Sequence, residues 1–179
     1  MNLRSMMGAV WLAVFAAACS GSDAPPTTAV AADSADQVSF NMVHYITIDG
    51  IRRVVLEADT AFFYQKTQSV EMLGLKVDFY TQNGAHSSTI TSRKGTYNWR
   101  EQSMEARGDV VAVTPDGRRL TTDTLRYHRD RNEISGPSAF KFCGPDQQLE
   151  GDAFTSDPDF RRVETTRPRR GQIGDVACR

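Results

Sequence analysis

The sequence is short of the residues that most often perform chemistry. Its 179 residues include only three histidines, three cysteines and two tryptophans. His44, His86 and His128 stand singly, with no metal-ligand spacing around them, so no metal centre is expected. A dominant charge sign is also missing. There are 21 Lys and Arg against 22 Asp and Glu, a net charge of -1, so a chain-wide basic field that would attract nucleic acid is excluded. Apolar runs are absent beyond one at the N-terminus, which excludes a polytopic membrane protein. His128 beside Asp130, and Ser87-Ser88 beside His86, lack any nucleophile-elbow context. On strands such neighbours point to opposite faces, so no catalytic group and no cofactor is expected. What remains is a globular composition, 40% hydrophobic and 24% charged, of a length that suits one ordinary domain.

The N-terminal run reads as a targeting segment. Arg4 supplies a positive start, and Met6 to Phe15 is apolar but too short to span a bilayer comfortably. It ends in Ala16-Ala17-Ala18-Cys19, small residues before a cysteine, which fits a lipoprotein cleavage site with Cys19 as the acylated residue. A plain signal peptide with a chance cysteine and an uncleaved anchor are the alternatives. The expected division is a signal peptide over 1–18, a lipidated Cys19 with a linker over 19–37, a β domain over 38–166 and a basic tail over 167–179. The linker is rich in Ser, Thr, Pro, Ala and Asp. As a coil it spans about 25 Å, and fully extended about 60 Å.

Cys143 and Cys178 remain once Cys19 is set aside. Export to an oxidising compartment makes their pairing the expectation, against two free thiols. Such a bond would hold the last residues to the domain and contribute roughly 3–4 kcal/mol by loop entropy.

From Val38 onward the pattern is β. Val38, Phe40 and Met42 alternate with polar residues, as do Leu75, Val77 and Phe79. Asp49-Gly50, Asn83-Gly84 and Asp116-Gly117 are hairpin dipeptides. No segment after the signal shows a useful helical period. Many short strands indicate a sandwich, barrel, jelly roll or β-solenoid. A weak repeat is visible in Thr60 to Tyr64, Lys94 to Asn98 and Thr124 to His128, each with an aromatic at the fourth place. Its anchors Phe63, Tyr97 and Tyr127 lie 97 − 63 = 34 and 127 − 97 = 30 residues apart, with Phe154 to Val163 as a degenerate fourth copy. Polar tips such as Gln65 to Gln68, Arg100 to Gln102 and Arg129 to Asn132 lie between the strands. Units of this kind bury an apolar face only by stacking on one another.

With these segments in order, the sequence resembles the LptC family, within the LptA/LptC/OstA-like group of lipopolysaccharide transport proteins. The resemblance is carried by Leu56 to Ala61, Leu73 to Tyr80, Ser92 to Tyr97, Glu105 to Val110, Gly117 to Tyr127 and Leu149 to Phe154. It covers roughly residues 38–166. It implies an all-β fold, an open V-shaped antiparallel β-jelly roll or β-taco built from repeated strand-hairpin units. It also implies a non-catalytic role, receiving lipopolysaccharide from the inner-membrane LptBFG transporter and passing it to LptA. Familiar members keep an N-terminal transmembrane helix where this chain has a lipobox-like end. The expected location is therefore periplasmic, on the inner membrane through an acyl anchor, with the outer membrane an alternative because Ser20 follows Cys19. An LptA-like bridge, or another envelope lipoprotein with a β-repeat interaction module, is the alternative role.

A lipopolysaccharide carrier must cover acyl chains, at about 0.8 kcal/mol per methylene, and leave sugars wet. The candidates for the apolar face are Leu75, Val77, Phe79, Ile90, Tyr97, Met104, Val111, Val113, Leu120, Leu125, Tyr127, Ile134, Phe140 and Phe142. A closed, dry core would use the same residues. On the resemblance, the strand edge at Val38 to Ile48 faces the transporter and the edge at Ala153 to Thr166 faces LptA. Unpaired edges of this sort invite strand addition. Arg161, Arg162, Arg167, Arg169 and Arg170 would either meet anionic lipid or form a solvated tail, and the tail is the expectation.

Overall fold

A computed structural model describes residues 35–174. Cys19, the signal segment and Cys178 lie outside the described residues. The chain forms β1 (Gln37–Ile48), β2 (Ile51–Tyr64), β3 (Ser69–Tyr80), β4 (His86–Asn98), β5 (Ser103–Val113) and β6 (Arg119–His128). Then come β7 (Glu133–Gly136), β8 (Phe140–Cys143), β9 (Gln147–Gly151), β10 (Phe154–Ser156), β11 (Val163–Thr165) and β12 (Pro168–Ile173). All pairings are antiparallel and belong to one sheet, whose first strand does not close on its last. This is the open β-jelly roll that the sequence suggested. Among the described residues no helix is long and apolar enough to cross a membrane.

The last six strands are three interrupted ones. β6 pairs with β7 through Arg126 to His128 and with β8 through Arg119 to Thr122. β10 continues the line of β9, and β12 continues that of β11. The chain is therefore a meander of long strands, each bent near its middle. The bends line up across the sheet as a crease. Asn41 and Gly74 have φ of 51° and 63°, and Gly108 and Asp109 have 76° and 50°. The β4–β5 register slips between Thr91 and Lys94, and the β5–β6 register between Arg107 and Val110. Glycine is required at position 74, because a Cβ there would run into the Asp59 carboxylate in a left-handed backbone. Where Pro137 breaks the β7–β8 ladder, the Ser138 hydroxyl takes its place. It accepts the Thr124 N–H at 3.0 Å and lies 2.9 Å from the Thr122 hydroxyl.

The crease divides the sheet into two leaves that face each other. Phe79 of one leaf meets Tyr127 of the other edge-on, with ring centroids 5.0 Å apart. Phe140 and Phe154 meet with tilted rings, their centroids 4.9 Å apart. Between the leaves lies a core that includes Leu56, Met72, Leu75, Val77, Ile90, Leu120, Leu125 and Ile134, all nearly inaccessible. Each such side chain contributes about 1.5–3 kcal/mol on burial. Among the described residues no buried side-chain polar atom lacks a hydrogen-bond partner.

The repeat corresponds to a recurring turn. Gln68 donates its N–H to Gln65, Asn132 to Arg129 and Phe160 to Asp157, each closing a four-residue tip. Gln68, Gln102, Asn132 and Phe160 all have φ between 48° and 52°. The first three tips lie at the ends of hairpins. The fourth, 157–160, folds inward as a strap across the trough. The Pro158 carbonyl accepts from the Ser88 hydroxyl at 2.7 Å, the Asp159 carboxylate accepts from Ser87, and the Phe160 ring is 2% exposed.

Two expectations change here. In the segment 167–179, expected as a basic tail, Pro168 to Ile173 pair with β9 as an exposed edge strand. Arg169 is ion-paired with Asp152. The run Pro168-Arg169-Arg170-Gly171-Gln172-Ile173 has no alternating apolar face, yet Gln147 to Gly151 offer a ladder to complete. Val111 and Val113 do not face the interior either. The inward residues of β5 are Met104, Ala106, Val110 and Ala112. Gly108 and Asp109 add one residue at the crease, so β5 keeps its even-numbered face inward. In β3 the inward parity switches from Val70 and Met72 to Leu75, Val77 and Phe79.

Candidate functional site: an apolar trough between two leaves

The trough opens at its mouth into a cavity of about 500 Å³. Ile46, Val54, Phe79, Tyr97, Met104 and Tyr127 supply its apolar wall. Arg53, Gln82, Gln102, Arg129 and Asn132 supply polar groups, and the strap closes it with Asp157, Pro158 and Asp159. β2 and β3 set the first side, with Val54 opposite Phe79. β4, β5 and β6 set the other, with Tyr97 opposite Met104 and Met104 opposite Tyr127.

Four of the fourteen candidate residues therefore line this cavity: Phe79, Tyr97, Met104 and Tyr127. Leu75, Val77, Ile90, Leu120, Leu125, Ile134, Phe140 and Phe142 form the dry core beneath and beyond it. Val111 and Val113 lie on the outer face. The sequence reading missed Ile46, Ile48, Val54, Arg53 and Arg129. The period-two pattern from Met42 through Ile46 to Ile48 could have found the isoleucines. The arginines carry no pattern, because only the closing of the leaves brings them to one mouth.

Burial pushes the Tyr97 and Tyr127 hydroxyls above their usual value. The nearby positive charge of Arg129 opposes this at both, and that of Arg53 at Tyr127. The outer face instead carries ion pairs. Burial raises Glu105, but hydrogen bonds and charge from Arg126 and Arg107 outweigh it and hold the carboxyl below its ordinary range. Burial likewise raises Asp78. Hydrogen bonds from Thr89 and Lys76 and the charge of Lys76 outweigh it, again leaving a lowered value. Among the described residues no group of His, Cys, Asp and Glu could hold a metal ion. Cys143 is disulfide-bonded, while Cys178 lies outside the described residues.

The two edges of the sheet differ. β1 is long and, among the described residues, has no strand on its outer side, with Phe40 61% and Tyr45 55% exposed. The other edge is formed by β11 and β12, which are short and polar. Among the described residues the sheet is thus an open roll with a partly apolar, accessible interior and two edges without a further strand. The chain belongs to the family described as lipopolysaccharide-assembly, LptC-related, whose model matches residues 5–167. It thus has a role in lipopolysaccharide transport in the cell envelope, as a transport component rather than an enzyme. Among solved structures it is similar to LptH of Pseudomonas aeruginosa, described as the LptA-homologous periplasmic component of the conserved lipopolysaccharide transport device. The TM-score is 0.51 and the identity 16%, over 64% of this chain and 82% of that one. No curated protein matches the chain.

Proposed function

We propose that the chain is a membrane-anchored periplasmic carrier that takes lipopolysaccharide from the LptBFG transporter and passes it to LptA. The carrying observation is the cavity between the leaves, apolar on its walls and polar at its mouth. Acyl chains enter it while the sugars stay in water. Cys19 holds the acyl anchor, at the inner membrane, and residues 19–37 form the tether. Cys143 pairs with Cys178. The β1 edge adds to a strand of the transporter, and the β11–β12 edge adds to LptA, so the troughs join end to end. Exposed apolar side chains on β1 support an obligate partner there.

Photocrosslinking in cells tests this reading. A photoreactive residue replaces Ile46, Phe79, Tyr97 or Met104, with Val111, Val113 and Lys76 as outward controls. Lipopolysaccharide adducts at the mouth positions alone, dependent on ATP, are expected. A folded protein with no adduct at any mouth position sinks the proposal. The LptH-like fold supports a second reading, a bridge component. Co-purification with the bridge but never with the transporter would select it.

A further inference from the structure

We propose that Arg53 and Arg129 form a two-guanidinium clamp at the trough mouth for the phosphate groups of an amphiphile whose acyl chains occupy the apolar wall. This deepens the transport reading and rests on it. The argument begins with the arginines as a set. Among the described residues seven pair with carboxylates: Arg93, Arg107, Arg118, Arg126, Arg131, Arg161 and Arg169. Six others are exposed to water, which solvates them: Arg52, Arg100, Arg119, Arg162, Arg167 and Arg170. Arg53 and Arg129 alone are half-buried and have no carboxylate partner, and both line the same cavity.

Their positions are built rather than incidental. The Arg53 Nε donates to the Tyr80 carbonyl at 3.1 Å, which holds it against the adjacent strand. Arg129 opens the tight tip that Asn132 closes, and the Asn132 amide oxygen lies 3.5 Å from the Tyr127 hydroxyl. Two acids share the cavity, but both are engaged. Asp157 accepts the backbone N–H groups of Arg161 and Arg162 at 2.9 and 3.2 Å. Asp159 accepts from Ser87 and pairs with Arg161 at 3.5 Å. A half-buried guanidinium without a counter-charge has lost hydration that its neighbours restore only in part, for Arg53 through the single bond to the Tyr80 carbonyl. A planar fork of donors matches a phosphate bidentately. Phe79, Met104 and Tyr127 lie on the same cavity wall. Cations at the rim over an apolar wall fit a phosphorylated lipid better than a soluble phosphate.

The test uses the immobilised full-length chain in an uncharged detergent. Retention is measured for radiolabelled lipid A carrying two phosphates, for the same lipid dephosphorylated, and for glucosamine phosphate as a headgroup alone. We expect about tenfold tighter retention of the phosphorylated lipid. In R53Q/R129Q that preference disappears while retention of the dephosphorylated lipid is unchanged, which also shows that the variant is folded. R119Q/R162Q, on exposed arginines, keeps the preference. Equal retention of both lipids by the unaltered chain, or a preference that survives in R53Q/R129Q, overturns the clamp and leaves the transport reading standing. Glucosamine phosphate held as tightly as the lipid overturns it in favour of a soluble ligand. No retention of either lipid sinks the transport reading and the clamp with it.

Discussion

The two ends of the trough are built from the same repeat yet do opposite things. From β1 as far as the strap the leaves leave a cavity at the mouth, lined by Ile46, Val54, Tyr97 and Tyr127 and by Asp157 to Asp159. Toward β10 they close on Phe140, Phe154 and Phe160, with almost nothing exposed. One residue accounts for much of the contrast. At the left-handed position of the four-residue tip, three copies carry the polar residues Gln68, Gln102 and Asn132, none of them buried. The fourth carries Phe160 at φ 51°. A bulky residue there is strained by roughly 1–2 kcal/mol, and burying its ring offsets that. A repeat can thus supply either a binding space or a plug, and the choice depends on whether its tip turns out or in.

The largest expected effect breaks the closed end. Phe160→Ala should lose about 3–5 kcal/mol in urea unfolding, because it empties a packed site. Tyr97→Ala, at the open end, should lose under about 1 kcal/mol while abolishing the lipid adduct at neighbouring positions. Equal losses would mean that the two ends are equally packed. Next, Ile46→Trp should fill the open end. Crosslinking of lipopolysaccharide at Met104 should fall several-fold with the melting temperature nearly unchanged. Detaching the strap should matter less. Ser88→Ala removes the bond to the Pro158 carbonyl and should cost about 1 kcal/mol in the same unfolding assay. The smallest effect lies on the outer face, which should not distinguish the ends. Glu105 has a lowered folded value, so its stabilisation is complete above the unfolded value near pH 4 and fades as pH falls through the folded one. Glu105→Gln should therefore cost roughly 0.5–1 kcal/mol at pH 7 and almost nothing at pH 2, read from urea midpoints.

The hairpins were legible because their turns are chemical. Asp49-Gly50 gives two successive left-handed residues, and Ile48 pairs directly with Ile51 across it. The aromatic anchors and polar tips were legible as a repeat for the same reason. The crease was not. A bend that changes which parity faces inward in one strand and keeps it in the next cannot be read from alternation, and Val111 and Val113 were misplaced on that account. β12 was hidden because an exposed edge strand needs no apolar face, only a ladder beside it. Phe79, Tyr97, Met104 and Tyr127 were recognised as interior, but nothing in their spacing separates cavity wall from dry core. That distinction depends on where the two leaves part.

The tips at Gln68, Gln102 and Asn132 recur every 102 − 68 = 34 and 132 − 102 = 30 residues, each closing one strand pair. Neighbouring strands stand about 4.8 Å apart, so each copy advances the sheet by about 10 Å. The reach of such a molecule is then a digital quantity. Duplicating one copy lengthens the conduit by a fixed step and leaves both ends intact, so an envelope gap can be matched by counting units rather than by remodelling them.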